Sequence, residues 1–152
     1  MRIRVMTEAD LDAVLAIAAA LSSAPHWPRD AYEAALEAET WPQRIALVAE
    51  SAGSVIGFAV AVLVAGEGEV ESIAVSPGWQ RRGIGAELLQ ALQRALAAEG
   101  AVAIVLEVRA SNRAAANLYA QAGFREVGRR GGYYRDPVED AVLMQVEIPQ
   151  LP

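Results

Sequence analysis

The chain has 152 residues, 54% of them hydrophobic and 21% charged, a globular composition that excludes intrinsic disorder and suits one domain spanning residues 1–152. With no cysteine it forms no disulfide, thiolate metal site or cysteine-linked acyl intermediate, and one histidine cannot anchor a histidine-rich metal centre. The net charge of −6 argues against a nucleic-acid face and is compatible with a basic peptide partner.

In chain order, Ile3 to Met6 reads as a first strand. Thr7-Glu-Ala-Asp10 has the form of a capping box, and the helix behind it, Glu8 to Leu21, sets Leu11, Val14, Leu15 and Ala18 on one face. Ser22 to Pro28 is a loop. Pro28 starts a second helix that runs through Tyr32 and Leu36 to about Ala38, with Thr40-Trp41-Pro42 ending it. Arg44 to Glu50 and Val55 to Val64 are strands joined by a hairpin, Ser51-Ala-Gly-Ser54. Ala65-Gly-Glu-Gly68 turns into a short strand, Val70 to Val75, which Pro77 and Gly78 stop. Gly83 and Gly85 open a helix with Leu88, Leu89, Leu92 and Leu96 at helical spacing, and Gly100 stops it. Val102 to Arg109 is a strand with Val102, Ile104, Leu106 and Val108 on one face. Ser111 and Asn112 cap a short helix that Gly123 ends. Phe124 to Arg130 and Ala141 to Ile148 are closing strands, with Gly131 to Asp140 between them. No apolar stretch reaches the roughly 18 residues of a membrane span, and Met1-Arg-Ile-Arg-Val lacks a signal-peptide shape, so a cytoplasmic protein is expected.

The stretch from Glu69 to Leu96 organises the rest. It places a strand, a turn and a glycine-rich loop directly before a helix start. Such a start offers unpaired N–H groups and the positive end of the helix dipole. Glycines there let a ligand approach the backbone, which makes an anion site suited to phosphates. The other reading is a plain tight turn. A dinucleotide fingerprint fails because its third glycine position holds Leu88, and no Gly-Lys-Ser/Thr follows to make a P-loop.

What remains, Gln80-x-x-Gly83-x-Gly85-Ala86 after a strand–Pro–Gly turn, resembles the coenzyme A pyrophosphate loop of the GNAT acyltransferase superfamily. The run Leu106-Glu-Val-Arg-Ala-Ser-Asn112, then Ala-Asn-Leu-Tyr119, Gly-Phe124, Tyr133-Tyr134 and Glu139 to Met144, is similar to its ribosomal-protein-alanine N-acetyltransferase branch. The Pro25-His26-Trp27 loop fits that branch too, and the resemblance covers nearly the whole chain. It implies a GNAT-like α/β (α+β) fold with a mixed, mostly antiparallel sheet of about seven strands and about four helices, in keeping with the element order.

The resemblance also implies acetyl-CoA as the acyl donor. Gln80, Arg81, Arg82, Gly83, Ile84, Gly85 and Ala86 would hold its diphosphate, Asn112 would contact it, and the backbone of Ile73, Ala74 and Val75 would pair with its pantetheine amides. Asn112 is equally an ordinary N-cap, and Arg81 and Arg82 an ordinary solvated pair. Glu107 lies on the opposite face of its strand from Leu106 and Val108. By spacing it is either ion-paired with Arg109 or another arginine, or a general base with a pKa raised by burial; the resemblance implies the base. Tyr119 is either a packed helical tyrosine or, as the resemblance implies, the acid that protonates the departing thiolate. Trp27, Tyr133 and Tyr134 would rim the acceptor pocket, unless their rings fill the core. His26 is read as structural or exposed. The expected acceptor is a peptide or protein N-terminus, such as a ribosomal protein's alanine. A small-molecule amine, a lysine side chain, or acyl-CoA binding without turnover stay open.

Overall fold

A computed structural model describes residues 1–37, 39 and 41–150. Seven strands form one mixed sheet: β1 (Arg2–Val5), β2 (Gln43–Ser51), β3 (Ser54–Val64), β4 (Glu67–Val75), β5 (Ala103–Arg109), β6 (Arg125–Tyr134) and β7 (Glu139–Glu147). Their spatial order is β1-β2-β3-β4-β5-β7-β6, and among the described residues the β4–β5 pair is parallel and the other pairs antiparallel. Among the described residues four α-helices complete the fold: α1 (Leu11–Ala19), α2 (Arg29–Ala35), α3 (Ile84–Ala98) and α4 (Arg113–Gln121). Among the described residues, no helix is long and apolar enough to cross a membrane.

The central strands are apolar at successive positions because both sheet faces are covered. On one face α3 packs Leu88, Leu89, Leu92 and Leu96, all fully buried, against Leu47, Ala59, Val70, Ile104 and Leu106, with Tyr119 and Leu118 of α4 beside them. On the other face α1 packs Leu11, Val14 and Ile17 with Tyr32 of α2 against Val48, Phe58 and Val60. Each such leucine or isoleucine contributes about 1.5–3 kcal/mol by leaving water.

Two features of the sheet position the site. First, β4 pairs with β5 only at Glu67, Gly68 and Glu69, opposite Ala103, Ile104 and Val105. Beyond that point β4 stays with β3 and β5 with β7, so the sheet opens into two halves. Second, the β3–β4 register shifts between Val60, opposite Ser72, and Ala61, opposite Val70. Glu71 is therefore an extra residue on β4, a β-bulge that bends the strand at the opening.

Several expectations shift at their edges. The first helix begins with a 3-10 turn, Glu8–Asp10, because Asp10 turns inward: Arg4 donates two 2.8 Å hydrogen bonds to its carboxylate, and the Thr7 N–H a third. This helix ends at Ala19, and Ile17 rather than Leu15 is buried. The Ser51–Ser54 hairpin forms with Ala52 and Gly53 both at positive φ, and β4 begins earlier than expected, straight after a second tight turn at Ala65 and Gly66. Val102 is half exposed and precedes β5, its N–H donating to the Gly66 carbonyl. Asn112 alone caps α4, while Ser111 turns to Glu139. The sixth strand runs to Tyr134, so Gly131 to Tyr134 is strand rather than loop. The expected end of the second helix at Ala38, and Thr40 after it, lie outside the described residues; α2 itself ends at Ala35.

Candidate active site

The opening between β4 and β5 is a cleft of about 1080 Å³, at the upper end of the range of small-molecule sites and roomy enough for two reactants. Its walls are the free edge of β4, the start of α3, the end of β5, α4, the α1–α2 loop and the last residues of β6.

The α3 end is built for an anion. Gly83 is the N-cap at φ 80°, a conformation that favours glycine, and Arg81 before it also has a positive φ of 64°. The chain thus turns sharply, and the first N–H groups of a 15-residue helix face outward at its positive end. Gln80 fixes the approach: its side-chain amide donates to the Val75 carbonyl at 3.1 Å. A Cβ added at Gly85 would meet only Leu118 Cδ2 at 3.4 Å and Val75 Cγ2 at 3.9 Å. The protein's own packing therefore tolerates a larger residue there, and the side chain would occupy space beside the cleft. Gly85→Val should leave the fold intact and lower coenzyme A affinity at least about tenfold, roughly 1.4 kcal/mol, by calorimetry. Unchanged affinity would remove the diphosphate site from this loop.

Ile73, Ala74 and Val75 line the cleft from the part of β4 that has lost its β5 neighbour. On that side their backbone has no β5 partner, and apart from the Val75 carbonyl held by Gln80 the edge is open for an extended ligand to join as a strand would. Asn112 also reaches the cleft while its Oδ1 accepts the Ala115 N–H at 3.2 Å, so capping and lining coexist.

Glu107 and Tyr119 meet the same space from β5 and α4. The Glu107 side chain is half-buried, and Arg130 Nη2 stands 3.6 Å from its Oε1. Of the arginines weighed as its partner, Arg109 is engaged elsewhere: it bonds Glu139 at 3.2 Å and stacks 4.2 Å over the Tyr134 ring. Tyr119 is buried against Phe124, its ring centroid 5.9 Å away. Burial, and then the neighbouring Tyr134, push its hydroxyl up to about 12. It therefore keeps its proton at any physiological pH, the state a general acid needs before it acts.

Trp27, Tyr133 and Tyr134 line the cleft as well. Trp27 divides its surface: its ring packs 5.2 Å from Tyr32 while Arg44 lies 5.9 Å over it. Tyr133 is exposed and meets Tyr134 edge-on. Arg82 is the expected residue that does not reach the cleft; its guanidinium stacks 4.9 Å from the Trp79 ring. His26 is exposed, with Nε2 3.0 Å from the Leu21 carbonyl oxygen.

Sequence reading missed Glu69, Glu71 and Ser72, which line the wall beside the bulge, and Arg44 and Arg130, which reach into the same group. The signal was two glutamates alternating with Val70 just ahead of the glycine loop, in a stretch taken as turn and strand start.

Known proteins share this fold. The sequence profile of the acetyltransferase (GNAT) family matches residues 13–124. The [ribosomal protein bS18]-alanine N-acetyltransferase of Escherichia coli strain K12 is 42% identical over 98 residues, covering 63% of this chain and 66% of that enzyme. The N-alpha-acetyltransferase RimI of Mycobacterium tuberculosis is 38% identical over 123 residues, covering 78% of this chain and 74% of that protein. The crystal structure of the ribosomal-protein-S18-alanine N-acetyltransferase from Escherichia coli superimposes with a TM-score of 0.85 at 31% identity, covering 99% of this chain and 96% of that one. With its profile matched across most of the sequence and its fold shared end to end, this chain belongs to the GNAT acetyltransferase family.

Proposed function

We propose that the chain is an acetyl-CoA-dependent N-acetyltransferase that modifies a protein N-terminal α-amine, its acceptor class being the alanine terminus of a ribosomal protein. One observation carries the reading: an anion-binding helix start and a free strand edge lie in one cleft with a carboxylate and a proton-holding tyrosine. The names of the relatives, which specify alanine N-acetylation and N-alpha-acetylation, support the acceptor. With a ribosomal protein as target, the reaction belongs in the cytoplasm.

The residues fit the donor. The N–H groups at Gly83 to Ala86, with Arg81, would hold its diphosphate, and the free edge of β4 at Ile73 to Val75 its pantetheine amides. Bound acetyl-CoA supplies an activated thioester. Glu107 accepts a proton from the acceptor amine, and Tyr119 gives one to the departing sulfur. Backbone N–H groups on the β4 edge would stabilise the negative charge that develops on the thioester oxygen.

Release of free thiol from acetyl-CoA, measured across a panel of peptides, polyamines and lysine peptides, tests the whole reading. No release with any amine would leave only acyl-CoA binding. Tyr119→Phe tests the acid separately. Phe keeps the packing against Phe124, so the fold should hold while turnover falls roughly 10²-fold. Because the lost proton donor is neutral across the working range, raising the pH should not restore the rate. Near wild-type turnover would remove Tyr119 from the mechanism.

A further inference from the structure

Three carboxylates, Glu69, Glu71 and Glu107, line the acceptor wall of the cleft. Two of them have cationic partners. Arg44 donates to both oxygens of Glu71, at 2.9 and 3.3 Å, and Arg130 stands 3.6 Å from Glu107. Glu69 has neither a hydrogen bond nor an ion pair among the described residues.

Beside it is a second unmet group. Ser72 is 5% exposed and lines the same cleft, and its Oγ has no hydrogen-bond partner among the described residues. An unpaired buried hydroxyl is destabilising, and such groups in native structures call for a reason. In a regular strand Glu69 and Ser72, three residues apart, would face opposite sides of the sheet. The bulge at Glu71 removes that opposition. Glu69 lies opposite Val62 and Ser72 opposite Val60, two alternate positions of β3 that share a face. This is the face of Val60 and the α1–α2 helices, and Glu107, opposite in direction to Ile104, Leu106 and Val108, belongs to it too.

We propose that Glu69 and Ser72 form a receiving subsite for the protonated acceptor amine: Glu69 takes the cation, Ser72 Oγ accepts one of its N–H bonds, and Glu107 then removes the proton. An ammonium group is a cation with three donors and no acceptor. It supplies what an uncompensated carboxylate and an unpartnered hydroxyl oxygen lack. The charge surroundings agree. Partial desolvation at the cleft wall, then the carboxylates of Glu71, Glu107 and Glu67, hold Glu69 above the ordinary carboxylate range, with Arg130 pulling the other way. An incoming cation relieves that repulsion.

The inference rests on the N-acetyltransferase reading but is tested apart from turnover. Binding to the coenzyme A-loaded protein is measured by calorimetry with a short uncharged peptide bearing a free N-terminal alanine, and with its N-acetylated counterpart. The free peptide should bind at least about tenfold more tightly than the blocked one. Glu69→Gln should remove about that same factor, with coenzyme A affinity unchanged. Ser72→Ala should weaken the free peptide about threefold while leaving the melting temperature unchanged or raised, because it deletes an unpaired buried group. In steady state both variants should raise KM with little change in kcat, and Glu69→Asp should recover part of the loss. Equal peptide affinity in Glu69→Gln and the parent protein would overturn the subsite. So would a fall in kcat at constant KM, which would put Glu69 on the proton path instead. An absence of thiol release in the parent protein sinks the acetyltransferase reading, and the binding comparison still judges the subsite.

Discussion

Glu107→Gln is expected to lower kcat roughly 10²–10⁴-fold while coenzyme A binds as in the parent protein. Glutamine has nearly the same shape, so the alternation of β5, with Ile104, Leu106 and Val108 inward, should survive. What it lacks is a site for the proton that must leave the acceptor nitrogen. Glu107 is well placed for that proton. It sits on the acceptor face, half-buried, just past the last β4–β5 rung at Val105. Its neighbour Arg130 lies on β6, at the side where Tyr133 and Tyr134 close the cleft. The defect should shrink as pH rises through the acceptor's own pKa, near 7.7–8.0 for an α-amine, because the amine then deprotonates itself. A pH–rate profile of both proteins, with coenzyme A affinity measured in parallel, decides the point. Near-full activity in the variant would end the assignment.

The strand that carries Glu107 was legible because its alternation is strict. The glycine loop was legible because Gly83 must adopt a positive φ and sits where a helix must start. The partners of Glu107 were another matter. Whether it meets Arg109 or Arg130 depends on how β6 lies across β7, and that register slips at Glu126/Gly128 and again between Arg130 and Tyr134. Gly131 and Gly132 read as the end of a strand, yet the strand continues past them. The second glycine, at φ 60°, supplies the irregularity that lets Tyr133 and Tyr134 reach the cleft. Glu69 and Ser72 were hidden for a similar reason. One extra residue in β4 changes which side chains share a face, and nothing in a run of alternating residues announces it.

The acceptor should be a chain terminus rather than a lysine, by a large factor. The reactive form is the neutral amine, and at pH 7.5 roughly a third of α-amines are neutral against about one lysine in a thousand. The starting populations thus differ by more than about 10²-fold before any pocket contact is counted. A single carboxylate base such as Glu107 removes the remaining proton far more readily from the terminus. Pocket shape adds to this. Trp27 comes from the α1–α2 loop, and Tyr133 and Tyr134 from the far end of β6, and all three line one cleft with Glu107. Their rings are held by contacts of their own: Trp27 on Tyr32, Tyr134 under Arg109, and Tyr133 under Arg130. Rigid rings on both sides suit a short flexible terminus with a small first side chain such as alanine. The net charge of −6 would draw a basic protein toward it. A peptide with a free N-terminal alanine is therefore expected to be acetylated at least about 10²-fold faster than the same peptide with a blocked terminus and one internal lysine. Mass spectrometry of both after incubation with acetyl-CoA measures the ratio. Faster modification of the lysine peptide, or of a polyamine over both, would reject the N-terminal acceptor and leave the chain an acetyltransferase of another amine.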